Sequence, residues 1–89
     1  MSLNKAYIAL GSNVGNWKNN LNQAILSISK LGVITQLASV YLSHPFGYEQ
    51  QHYFYNSALK LETILSPYGL FDELQIIEKK LQKNKFFVN

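Results

Sequence analysis

The sequence predicts an α+β fold: a split β-α-β-β-α unit, ferredoxin-like, with both helices on one face of an antiparallel sheet. Three observations carry this. Apolar runs rich in β-branched and aromatic residues occur at 5–10, 33–43 and 53–63. Two stretches, starting at Trp17 and at Pro67, repeat apolar residues at helical spacing. The strand-like and helix-like stretches come in the order β-α-β-β-α, with no internal repeat and no interdomain linker.

The first strand is KAYIAL (5–10), an apolar run ending at Gly11. GSNVGN (11–16) reads as a loop in which Asn16 is placed to cap the next helix. Leu21, Ala24, Ile25, Ile28 and Leu31 form that helix's apolar stripe, and Gly32 is a natural stop. Val33–Ser43 is β-prone without clean alternation, which predicts a strand with a kink or bulge. The next strand, Tyr53–Thr63, puts Tyr53, Tyr55, Ser57, Leu59 and Leu61 on one face and Phe54, Asn56, Ala58, Lys60 and Glu62 on the other. Ser66-Pro67 starts the second helix, with Ser as cap and Pro at the first helical position. Its stripe is Leu70, Phe71, Leu74, Ile77 and Leu81. NKFFVN (84–89) reads as a loop or the beginning of a strand, so the fourth core strand of the unit is expected to be missing.

Between the second and third strands lies SHPFGYEQQHYFYN (43–56), longer than the roughly 2–5 residues of a hairpin turn. It is dense in aromatic rings (Phe46, Tyr48, Tyr53, Phe54, Tyr55), and that composition calls for a functional reading.

With 89 residues the chain is read as a single domain (1–89), and such a chain buries only roughly 60–65% of its unfolded surface. Its 47% hydrophobic and 15% charged residues suit a globular protein and exclude disorder. No apolar run reaches membrane-spanning length, the N-terminus lacks a signal-peptide layout, and there is no cysteine, which makes the cytoplasm the default location. The net charge is +3, all eight basic residues are lysines, and Lys79, Lys80, Lys83 and Lys85 crowd the last eleven positions. Such a cluster can meet phosphates, but it reads first as a solvated helix end favoured by the dipole.

If the leucines of Tyr53–Thr63 face the helices, Phe54 and Asn56 fall side by side on the uncovered face. A ring that stacks, beside a carboxamide that donates and accepts, suits a flat polar heterocycle. An exposed Phe and a strand-end Asn would read the same way. Gly11-Ser12-Asn13 allows close backbone approach but is no Walker loop, since no Lys-Ser/Thr follows. His44 and His52 lack metal-ligand spacing, and Gln75 with Glu78 reads first as a solvated helix face. No nucleophile triad and no acidic pair for Mg²⁺ is visible.

Taken in order, AYIALGSNVGN (6–16), V-Y-x-S-x-P-x-G (40–47), Gln51 with FYNSALKLET (54–63), and L-S-P-x-x-L (65–70) followed by Ile77-Glu78 resemble the 6-hydroxymethyl-7,8-dihydropterin pyrophosphokinases of folate biosynthesis. Each motif alone is soft; their order and spacing make the match specific. The resemblance covers essentially the whole chain but only the first part of the family's length. It implies transfer of pyrophosphate from ATP to the pterin hydroxymethyl oxygen, with two magnesium ions as cofactors. It also implies that 43–56 holds a mobile catalytic loop closing over the pterin.

By the same resemblance Gly11, Asn13, Ser43, His44, Phe46, Phe54 and Asn56 are expected around the pterin. Phe71, Gln75, Glu78, Lys83 and Lys85 are expected on the ATP side. The family's magnesium-binding Asp-x-Asp run would lie beyond Asn89, so no catalytic or metal-ligating residue is expected in these 89 residues. The chain is then expected to be inactive alone, and to be a fragment rather than a natural short protein.

Without the fourth strand, Tyr7–Leu10 would be an apolar edge and self-association through Ala6–Leu10 would follow, the alternative being that Phe86–Val88 folds back to patch part of that edge. The rival readings are a small ferredoxin-like nucleic-acid-binding module and a purely structural assembly domain. The RNA-binding strand motif is absent and Lys60 with Glu62 leaves the open face neutral, which argues against nucleic acid.

Overall fold

A computed structural model gives the structure of the protein and describes residues 3–13, 16–43, 54–81 and 84–88. Strand β1 (Asn4–Asn13) is followed by helix α1 (Trp17–Ile28), strands β2 (Val33–Leu37), β3 (Tyr41–Ser43) and β4 (Phe54–Thr63), helix α2 (Pro67–Leu81) and strand β5 (Asn84–Val88). The sheet runs β2-β4-β1-β5 and is antiparallel at every pairing, with β3 also paired to β4. This is the α+β arrangement that the sequence predicts.

The period of two along β1 and β4 decides which face is covered. Ala6, Ile8, Leu10 and Ser12 on β1, with Ser57, Leu59, Leu61 and Thr63 on β4, are buried beneath the helices. Leu21, Ala24 and Ile28 of α1 and Leu70, Leu74 and Ile77 of α2 close over them, and all the apolar members form one core. On the other face Lys5, Tyr7 and Ala58 are exposed, and Asn56, Lys60 and Glu62 are half-buried. Phe71 leaves the predicted stripe: it is 53% exposed, because Leu70, Leu74 and Ile77 already fill the seam.

Several expectations need correction. The tail 84–88 patches part of the first-strand edge, the fold-back that the sequence left open: β5 lies beside β1, from Ile8↔Val88 to Ser12↔Asn84. The physical reason is the apolar edge itself, whose backbone groups stay without ladder partners unless a strand pairs there. The edge expected at Ala6–Leu10 is therefore paired from Ile8 onward, with β5 as the new end of the sheet. Strand β1 continues through Gly11–Asn13, expected as loop, because Phe54–Asn56 on β4 offers it a ladder partner. Asn16 stands at the N-cap of α1 without a side-chain capping bond. The helix ends at Ile28 with right-handed Ser29 as its cap, so Gly32 does not stop it. Gly32 is needed for another reason: a Cβ there would run into the Glu62 carbonyl oxygen.

The bulge expected in Val33–Ser43 occurs twice. Thr35 is one extra residue between Ile34↔Leu61 and Gln36↔Lys60, and its hydroxyl donates to the Lys60 carbonyl at 3.4 Å. A second extra residue lies between Leu37↔Leu59 and Tyr41↔Asn56. There the Ala38 amide donates to the Ala58 carbonyl (2.8 Å) and the Ser57 hydroxyl donates to the Ala38 carbonyl (2.9 Å). One slip exchanges the faces of a strand, and a second restores them. Val33 and Tyr41 thus both pair with residues of the open face, Glu62 and Asn56.

Helix α2 begins as predicted, with Ser66 as cap: its hydroxyl accepts the Gly69 amide at 3.0 Å and Pro67 takes the first helical position. Among the described residues no helix is long and apolar enough to cross a membrane.

Candidate functional site

The strand register gathers five of the predicted site positions at one end of the sheet. Gly11 stands opposite Asn56, and Asn13 opposite Phe54, across β1 and β4. Ser43 stands opposite Phe54 on the other flank, across β3 and β4. Directly opposed residues share a face, so these are neighbouring positions of the face the helices leave open. The second bulge is what returns β3 to that face. Lys85, expected on the nucleotide side, joins the same row on β5 opposite Gly11. His44, Phe46 and Lys83 lie outside the described residues.

The register adds one position that sequence reading missed. Tyr41 stands opposite Asn56 on β3. It belongs to the V-Y-x-S run, but only the double bulge puts it in line with Asn56.

The open face continues from Asn56 into a shallow depression of about 400 Å³ lined by Tyr7, Gln36, Leu37, Ala38, Ala58 and Lys60, with Leu59 beneath. The Lys60 ammonium sits 5.6 Å from the centre of the Tyr7 ring. Lys5 and Glu62 are directly opposed, so cationic and anionic groups alternate here.

The predicted nucleotide residues are placed differently. Phe71 lines a cavity of about 330 Å³ with Asn4, Lys5, Ala6, Thr63, Leu65, Pro67 and Leu70. That cavity is at the other end of the sheet, since Ala6 and Gly11 are separated by roughly 17 Å of strand. Gln75 and Glu78 follow Phe71 along α2, Gln75 exposed and Glu78 half-buried. The helix advances about 10 Å between Phe71 and Glu78. It runs toward the end where β5 begins, opposite Ser12. The two groups of predicted residues therefore occupy opposite sides of the sheet.

Behind the gathered positions, the first turn of α1 meets both strands. Trp17 stacks on Tyr55 with ring centres 4.1 Å apart and planes 9° from parallel, and the Lys18 ammonium lies 5.8 Å from the Trp17 ring. The Asn20 amide donates to the buried Ser12 hydroxyl at 3.1 Å. Among the described residues, no three His, Cys, Asp or Glu side chains come together as a metal-holding group.

Residues 7–89 match the family model of 7,8-dihydro-6-hydroxymethylpterin-pyrophosphokinase. The chain belongs to this pyrophosphokinase family. It is 38% identical over 84 residues to the 2-amino-4-hydroxy-6-hydroxymethyldihydropteridine pyrophosphokinase of Bacillus subtilis, a match covering 92% of this chain and 50% of that protein. Identity is 43% over 77 residues to the like-named protein of Haemophilus influenzae, covering 84% of this chain and 48% of the relative. A folate synthesis bifunctional protein of Pisum sativum is 41% identical over 75 residues, covering 83% of this chain and 15% of its own length. The chain thus spans about half the length of the bacterial pyrophosphokinases it matches. A solved DUF3240-family protein of Shewanella baltica superposes with a TM-score of 0.57 at 11% identity, covering 94% of this chain and 86% of that one, and shares the fold alone.

Proposed function

We propose that this pyrophosphokinase chain binds 6-hydroxymethyl-7,8-dihydropterin on the open face of its sheet and takes part in moving pyrophosphate from ATP to the hydroxymethyl oxygen. The observation that carries the reading is the ladder at Asn56, which puts Gly11, Asn13, Ser43, Phe54 and Tyr41 in adjacent rows around it. In this reading Phe54 supplies the stacking ring, and the Asn56 carboxamide reads the heterocycle's donor and acceptor edge. Gly11, with no side chain, keeps the row beside Asn56 low enough for a flat ligand. His44 and Phe46 complete the pterin side.

Phe71, Gln75 and Glu78, with Lys83 and Lys85, form the nucleotide side. Lys85 is the link, being opposite Gly11 in the ladder. ATP supplies the pyrophosphoryl group when bound, and the lysines meet its phosphates as point charges. A cytoplasmic location belongs to the same proposal.

The test is a fluorescence titration of the chain with 6-hydroxymethylpterin. Phe54→Ala and Asn56→Ala should each weaken binding about five- to tenfold, the loss expected for one stacking or charge-free hydrogen-bonding contact of about 1–1.5 kcal/mol. Unchanged affinity in both variants would remove the pterin reading.

A further inference from the structure

The pairing of α1 with the site end of the sheet is more specific than core packing requires. Ser12 and Tyr55 are register partners across β1 and β4. Both belong to the helix-facing rows, where Ser12 is fully buried. Each is held by one residue of the same helical turn, Tyr55 by the Trp17 ring and Ser12 by the Asn20 amide. Trp17 and Asn20 are three apart and therefore lie on one side of α1. Gly11 and Asn13 flank Ser12 in sequence, and Phe54 and Asn56 flank Tyr55. Every strand position gathered from β1 and β4 on the open face is thus next in sequence to a residue gripped from behind.

We infer that the first turn of α1 is a positioning clamp: Trp17 and Asn20 hold the ends of β1 and β4 in register so that Asn13, Phe54 and Asn56 keep their places on the opposite face. The inference rests on the pterin reading of that face for its purpose, but not for its mechanism. Its physical need is plain. Strand ends open far more readily than strand centres, because few contacts are lost when they do. This ladder must stay closed up to its last rung, Asn13↔Phe54, for a rigid ligand to meet both strands at once. The clamp's two grips also differ in kind. The stacked rings resist sliding of β4 under the helix, while the directional Asn20 bond fixes the height of β1. Neither residue touches the open face, so both are positioning residues and neither is a ligand contact.

Amide hydrogen exchange on the intact chain tests this, using Trp17→Leu, Asn20→Ala and Trp17→Phe. Trp17→Leu keeps an apolar, helix-favouring side chain and removes the ring pair. In Trp17→Leu and Asn20→Ala, the amides of 11–12 and 54–57 should exchange about tenfold faster relative to those of 59–63. Trp17→Phe, which can still stack, should return them toward the unaltered rates. Binding of 6-hydroxymethylpterin should weaken about tenfold in parallel, again with recovery in Trp17→Phe. Acceleration of equal size along all of β4 would mean that α1 merely stabilises the domain, and would overturn the clamp. No acceleration at 54–57 would overturn it as well. If the unaltered chain binds no pterin, the function proposed above fails, while the exchange comparison still decides the clamp.

Discussion

Replacing Thr63 by Val should test how the far end of the sheet is tied together. Thr63 is 1% exposed, and its hydroxyl works in both directions. It donates to the Leu31 carbonyl at 2.6 Å and accepts the Leu65 amide at 3.1 Å, so one side chain joins the α1–β2 and β4–α2 connections. Valine keeps the shape and the strand preference but has no polar atom. Each lost bond costs about 0.5–1.5 kcal/mol net, and leaving a part-buried backbone partner unmet moves the sum toward the upper end. The expected loss is about 2–3 kcal/mol. A domain of this size has roughly 4–13 kcal/mol in all, so the effect should be large. In urea unfolding followed by circular dichroism, the midpoint should fall by roughly 1–2 M with the slope unchanged. Thr63→Ser, which keeps the hydroxyl and loses one methyl, should cost only about 1 kcal/mol. A Thr63→Val loss no greater than that of Thr63→Ser would refute the reasoning, since water would then be serving both carbonyl and amide.

Other expectations follow from single contacts. Gly32→Ala forces a Cβ toward the Glu62 carbonyl, so the junction must shift and thermal melting should show a loss of about 1–3 kcal/mol. Ser66→Ala removes the acceptor of the Gly69 amide and should cost about 1 kcal/mol in the same assay, with Ser66→Asp recovering most of it. Ile8→Ala, at a fully buried position of β1, should cost about 2–5 kcal/mol, enough to abolish cooperative unfolding in a marginal background. Tyr68→Ala, at an 85% exposed helix position, should stay within about 0.5 kcal/mol of the unaltered chain.

Much of the fold was legible because periodicity and cap chemistry are local signals. The two faces of β4 follow from alternation, and the start of α2 follows from Ser66-Pro67. What was not legible depends on partners distant in sequence. Gly11–Asn13 has turn-like composition, yet Phe54–Asn56 draws it into the ladder. Asn84–Val88 reads as an ambiguous tail until β1 offers it an unpaired edge. Gly32 looks like a helix stop, but its reason lies thirty residues on, at Glu62. For the candidate site, the neighbourhood of Phe54 and Asn56 could be read from spacing, whereas Tyr41 required knowing how often the second strand slips. The separation of Phe71 from Gly11 was likewise invisible, because motif order along a chain carries no distance across a sheet.

The two slips between Val33 and Ser43 also set a rule for which changes of length this segment tolerates. Faces along the strand obey a parity, and each extra residue inverts it. Deleting one residue from 38–40 would remove the second slip and leave Tyr41 opposite Asn56, with the Ile34 pairing unchanged. Deleting two, one from each bulge, would straighten the strand and leave 41 and 43 where they are. Loss of one residue at either slip should therefore leave the rows of 41 and 43 in place, whereas an insertion or deletion elsewhere in the strand should shift every later pairing by one and exchange its faces.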